Sequence, residues 1–288
     1  MNRRRFDRRK AEEAAFVALM ILCASLMAGG LALIIGTILY KGLPSLSLAM
    51  VTQTPQGGYY LGKGGGVLNA ILGSLYLAAG ATGLALLVAV PVVSYVNGFL
   101  PRHSRAGRWV RFSMDILWGI PSIVYGAFGF MIMLALGLRA SLGAAMVVVA
   151  LFELPILVRT MDEAVRMVPR DLREAAYSLG ATRLETALGV VARQALPGLL
   201  TATLMAFGRA IGDTACVLFT AGFTDRVPTS LTEPAATLPL AIFFQLGTPF
   251  PEVQGRAYAS AAILTVLVLA VSLGARFLSR QATRHVIR

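Results

Sequence analysis

The sequence predicts an all-α membrane protein with six transmembrane helices and both termini in the cytoplasm. Three observations carry that expectation. Apolar residues make up 57% of the 288 residues and charged residues only 14%, against about 45–50% and about 25% in soluble domains. The mean hydropathy is +0.72. Lysine and arginine outnumber the acids, giving a net charge of +12, and the cations cluster between long uncharged runs as membrane topology demands. This composition excludes a soluble globular enzyme and a disordered basic tail.

A hydrocarbon core about 30 Å thick takes roughly 20 apolar residues to cross as a helix. Residues 14–40 carry no charge and form the first span, after a basic cytoplasmic N-terminus at 1–13. That run exceeds the about 7–15 apolar residues of a cleaved signal peptide, so it reads as a retained helix. An outer loop follows at 41–66, and a core at 67–278 holds the other five spans. The second runs from about Val67 to Asn97, with an expected kink at Pro91. The third lies between Asp115 and Arg139, where Gly119, Pro121, Gly126 and Gly129 predict a broken or closely packed helix. The fourth covers Ala140 to Val158, the fifth Leu196 to Phe223 and the sixth Ala257 to Ala275. Within an outer loop at 225–256, the stretch 234–251 is apolar but rich in proline, which predicts a short re-entrant or interfacial helix. Residues 279–288 form a cytoplasmic tail.

On this layout twenty cations fall on one side of the membrane and five on the other, with Arg209 left inside a span. The basic side is cytoplasmic. A seventh span at 234–251 would place the basic C-terminus outside, against that bias.

Several motifs carry no chemistry. Cys23 and Cys216 fall in spans and read as small packing residues, since no Cys/His spacing accompanies them. His103 and His285 have no triad or metal partner in the sequence, and no metal site is expected. Gly57 to Lys63 has the start of a phosphate-binding loop, but Gly64 stands where Ser or Thr is required and no buried strand precedes it. Glu153 is expected near the cytoplasmic end of the fourth span, at the interface or paired with Arg159.

The cytoplasmic loop 161–195 is long for a connector. Pro169 begins a helix and Gly180 ends it. Leu172, Ala175, Ala176 and Leu179 share one face, with Arg170, Arg173, Glu174 and Tyr177 on the other; a second helix begins near Ala181. Glu174-Ala175-Ala176, three residues, then Gly180 resembles the EAA loop of ABC importer permeases. In this sequence Val190 to Arg193 replace the later half of that motif, with a proline only at 197. Gly65 to Ser74 resembles the entry to the permease core, Gly119 to Gly126 and Arg209-Ala210-Ile211-Gly212-Asp213-Thr214-Ala215 resemble the third- and fifth-span motifs of phosphate permeases, and Leu218 to Ala221 resembles the A-type subunit more than its C-type partner. Asp213 and Cys216 depart from the usual Glu and Pro of that pattern.

The resemblance implies a type I ABC importer permease fold in the bacterial inner (plasma) membrane. It implies a phosphate permease that is not itself an enzyme. The expected partners are a homologous C-type permease, a cytoplasmic ATPase dimer, an external phosphate-binding protein and membrane lipids. No cofactor is expected on this chain, because the ATPase would use the ATP. Arg170, Glu174, Ala175, Ala176 and Gly180 would couple to the ATPase, while Arg209, Asp213 and Thr214 would line the substrate pathway.

Arg209 and Asp213 are four apart, which on a helix puts them on one face. There Arg209 would offer paired donors to an oxyanion and Asp213 would hold it and moderate its grip. Gly208 and Gly212 beside them would permit close helix approach. Two alternatives stay open: a permease for sulfate or molybdate, and a membrane-anchored regulator using residues 170–195 on nucleic acid.

Overall fold

The computed structural model describes residues 3–57, 64–101 and 104–282. Residues 58–63, His103, His285 and the tail beyond Ala282 lie outside the described residues, and so does most of the glycine–lysine segment ending at Lys63. The described chain is helical, with one isolated bridge between Pro55 and Gly65.

Helix α1 (Arg3–Gly42) is 40 residues long, about 60 Å at 1.5 Å per residue. The rest of the chain buries none of its apolar stretch, so Cys23 is exposed here rather than packed. Its end alone is pinned. Gly42 lies against the Tyr258 and Ala259 backbone, where a Cβ would come within 2.9 Å. Lys41 sits 5.0 Å over the Tyr258 ring. After the short α2 (Leu48–Thr52), α3 (Leu68–Gly98) and α6 (Leu142–Arg166) form the centre of the molecule. The buried stripe of α3 is small: Ala70, Ser74, Ala78, Ala81, Ala85 and Ala89 recur at helical spacing. Small residues let two backbones approach closely where lipid offers no hydrophobic drive between helices.

The third span is a bent pair. Helices α4 (Arg105–Trp118) and α5 (Ser122–Ala135) meet at 96° across Gly119-Ile120-Pro121. Pro121 has no N–H to donate and disfavours a helical Ile120, so the helix restarts there. Each helix has 14 residues, about 21 Å, too short to cross alone. The break that the glycines and proline predict is present. The helix begins ten residues earlier than Asp115, because Ser104 caps it by accepting from the Gly107 amide at 2.9 Å.

Helix α7 (Arg170–Ser178) lies in the cytoplasmic loop. Then α8 (Arg183–Glu185), a π turn (Thr186–Val191) and α9 (Ala192–Gly212) run as one 30-residue rod. The expected fifth span reaches Phe223, but the helix stops at Gly212 and residues 213–223 form turns instead. Non-helical backbone is tolerated at such depth where protein buries it, and Cys216, Val217, Thr220 and Ala221 are each 0% exposed. The 234–251 stretch becomes α10 (Leu238–Leu246), nine residues long and about 14 Å, which cannot cross a bilayer. Ser74 Oγ accepts from the Leu238 amide at 2.8 Å, and Leu238, Leu240 and Ala241 are buried against α3 and α11 (Pro251–Ala282). Five helices are long and apolar enough to cross a membrane, and the bent pair supplies the sixth.

Candidate functional site

Two regions hold the chemistry-bearing side chains. The first lies where α6, α3 and α9 meet. Glu153 is fully buried in the middle of α6. This corrects the expectation that it sits at the interface or pairs with Arg159. Helix α6 continues to Arg166, well past the expected end at Val158, so residue 153 falls at its centre. Arg159 pairs instead with Glu163 at 3.1 Å and Asp115 at 3.6 Å. The Thr82 hydroxyl on α3 donates to Glu153 Oε2 at 3.1 Å, and Oε1 has no hydrogen-bond partner.

Arg209 lies on α9 beside this carboxyl, and its Cζ is 4.8 Å above the Phe152 ring. Such stacking is worth about 0.5–2 kcal/mol depending on desolvation. Arg209 shares an exposed face of α9 with Met205 and Gly212. Asp213 does not share that face. It is the residue at which the helix ends, with extended backbone at φ −78° and ψ 123°. Its Oδ1 accepts from the Cys216 amide at 2.8 Å, so it caps the following turns rather than holding Arg209. Thr214, half-buried, accepts the Leu218 amide on its carbonyl at 3.0 Å. The close helix contact expected at Gly208 and Gly212 is absent within the chain, where Gly208 has only a Val271 methyl at 4.0 Å and Gly212 nothing within 4 Å. Close packing occurs at Gly126 instead, where a Cβ would lie 2.6 Å from the Ala215 carbonyl.

The second region joins the C-terminal ends of α3 and α6 to the middle of α4. Asp162, 3% exposed, accepts two bonds from Arg111, from Nε at 2.8 Å and from Nη2 at 3.0 Å. It also accepts from Asn97 Nδ2 at 2.7 Å, and Arg166 approaches at 3.8 Å. Arg111, counted by sequence among the topology charges, is thus a structural tie.

Helix α7 hangs from this knot by Arg173. Its guanidinium donates to the Asn97 carbonyl at 3.2 Å and the Val165 carbonyl at 3.0 Å. Burial lowers the pKa of Arg173 from its ordinary value. The helix is therefore rolled relative to the expected faces. Arg173 turns inward with Ala176 and half-buried Leu172, while Ala175 is exposed and Leu179 is 89% exposed. Arg170, Glu174 and Gly180 are exposed as well. Gly180 has φ +83°, a left-handed conformation that L side chains adopt at a cost. It ends α7 as its Gly punctuation predicts, with its amide on the Tyr177 carbonyl at 3.0 Å. The next helix starts with a capping box between Thr182 and Glu185. Sequence reasoning missed Asn97, Arg111, Asp162 and the inward role of Arg173. The usable signal was an amide at the end of one apolar run, Asn97, and an acid just past the end of another, Asp162.

Among the described residues no group of three His, Cys, Asp or Glu side chains is placed to hold a metal. The arrangement offers an arginine on an open helix face in the membrane and an exposed, tethered helix in the cytoplasm.

Residues 92–284 match the binding-protein-dependent transport system inner membrane component family, and the chain belongs to that family of membrane permease subunits. Within the family it resembles particular relatives. It is 33% identical over 273 residues to the phosphate transport system permease protein PstA of Haemophilus influenzae, covering 94% of this chain and 95% of the relative. It is 35% identical over 278 residues to the PstA protein of Xylella fastidiosa (strain Temecula1), covering 95% and 94%. The fold resembles an inward-facing structure of the MetNI methionine ABC transporter at a TM-score of 0.61 and 20% identity, covering 75% of this chain and 96% of that one. It also resembles a bacterial alginate ABC transporter at 0.57 and 15%, covering 96% and 99%.

Proposed function

We propose that this chain is the A-type permease subunit of an ATP-driven phosphate importer and forms half of the translocation pathway. The observation that carries the reading is Arg209, held over Phe152 on an open face of a membrane helix. Guanidinium matches the geometry of an oxyanion with two parallel donors. The near full-length likeness to phosphate permeases supports phosphate as that anion. A homologous C-type permease would close the pathway from the other side, and an external binding protein would deliver the anion. Thr214 and the turns after Gly212 would line the route, while Asp213 would hold those turns in shape.

A cytoplasmic ATPase dimer would dock on α7. On α7 and beside it in the chain, Leu179, Met167 at 76% exposure and Leu184 at 56% are open, and so are Arg170, Glu174 and Ala175. Hydrolysis of ATP on the ATPase would move α7, and the rod from Arg183 to Gly212 would carry that motion to Arg209. The chain itself makes and breaks no covalent bond and needs no cofactor.

The test is co-purification of the assembled complex in detergent, then ATP-driven uptake of labelled phosphate in vesicles. Uptake blocked by excess phosphate and not by sulfate or molybdate supports the reading. Uptake that follows sulfate or molybdate instead makes the chain a permease for another oxyanion. The nucleic-acid reading is disfavoured by Arg173, which spends its guanidinium on two carbonyls of its own chain. Co-purification with DNA and no ATPase would revive it.

A further inference from the structure

Glu153 is a buried acid that neither packing nor topology explains. It is fully enclosed on α6, one oxygen takes the Thr82 hydroxyl, and the other has no partner. An unpaired buried carboxylate is strongly disfavoured, and a cation against it offsets the cost. Helix α9, packed on α6, brings two charged residues to this side, Arg209 in its last turn and Asp213 at its end. Asp213 adds repulsion and is already engaged by the Cys216 amide. Arg209 remains, and its position fits. The guanidinium stacks on Phe152, the neighbour of Glu153 in the chain, and so lies beside α6 rather than along α9 towards Asp213.

We propose that Glu153 is a positioning residue for transport: its carboxylate is the fixed counter-charge that draws Arg209 towards α6 and competes with the passing anion for the guanidinium. This rests on Arg209 as the anion-contacting group. Thr82 fixes one carboxylate oxygen and leaves Oε1 for a guanidinium that swings off Phe152. An arginine in a low-dielectric passage with no such competitor would hold an oxyanion tightly and release it slowly. The moderating role that the sequence places on Asp213 belongs to Glu153.

The assembled transporter, with both permeases, the ATPase and the binding protein, is reconstituted in vesicles. Glu153→Gln keeps the shape and the bond from Thr82 but removes the charge. It should lower the maximal rate of phosphate uptake by about tenfold, with several-fold more labelled phosphate retained per purified complex. Glu153→Asp should restore most of the rate. Adding Arg209→Gln to Glu153→Gln should erase the extra retention. Normal rate and retention in Glu153→Gln, with Arg209→Gln inactive, overturns the counter-charge and leaves the role of Arg209 intact. Normal uptake in Arg209→Gln overturns that role and the proposal with it. Failure of Glu153→Gln to assemble makes Glu153 a packing group and also overturns the proposal.

Discussion

The molecule contains two arginine–carboxylate settings of opposite character. At the cytoplasmic end, Arg111 closes on Asp162 with two hydrogen bonds, and Asn97 and Arg166 complete the knot. Between α6 and α9, Arg209 rests on an aromatic ring while Glu153 keeps one oxygen unpartnered. The first pair is satisfied and holds three helices together. The second leaves donors free on an open face. A closed pair is a fastener, because moving it exposes a buried charge. An open pair can exchange partners, as the proposed grip and release of an anion by Arg209 would require.

Breaking the closed pair should have the largest energetic effect. Asp162→Ala should destabilise the protein by about 3 kcal/mol, because the Arg111 guanidinium and the Asn97 amide lose their acceptor. The check is the melting temperature of the detergent-purified chain, and an unchanged value would remove the fastener from the argument. Arg209→Gln should leave that melting temperature near wild type yet reduce phosphate uptake at least about a hundredfold, equivalent to about 2.7 kcal/mol. If both substitutions damage stability equally, the contrast between the settings disappears.

Smaller effects are expected at α7. Gly180→Val should cost about 1–2 kcal/mol locally, since a β-branched residue must adopt φ +83°. It should raise ATP hydrolysis uncoupled from uptake, measured as the ratio of the two rates in vesicles. Thr182→Ala removes the side chain that caps the next helix and should cost about 1 kcal/mol. Faster hydrogen exchange over 183–186 would report it, with uptake nearly unchanged.

Much of this was legible in the sequence for a simple reason. Long apolar runs and a lopsided distribution of arginine are direct consequences of a bilayer, so the spans and their orientation follow from them. The breaks are less visible. The run from Leu196 to Phe223 is apolar apart from Arg209 and Asp213, and nothing in its hydropathy distinguishes helix from turns that the protein itself buries; α9 stops at Gly212 all the same. That stop moves Asp213 off the face of Arg209. Glu153 was misplaced because α6 extends beyond its apolar part to Arg166, which puts an apparent end residue at the centre. On α7, side-chain type suggested that arginine faces water, but Arg173 finds two carbonyls on neighbouring helices. Such partners are tertiary, and no local pattern announces them. The end of α7 at Gly180 was identifiable because a left-handed glycine at a helix end leaves a sequence mark.

The π turn at Thr186–Val191 sets a phase. One residue more or less in a helix rotates everything beyond it by about 100°. Removing a single residue there would therefore act as an angular change, turning Arg209 away from Phe152 while leaving every side chain downstream chemically intact. The compass bearing of Arg209 is fixed some twenty residues away, near the start of the rod.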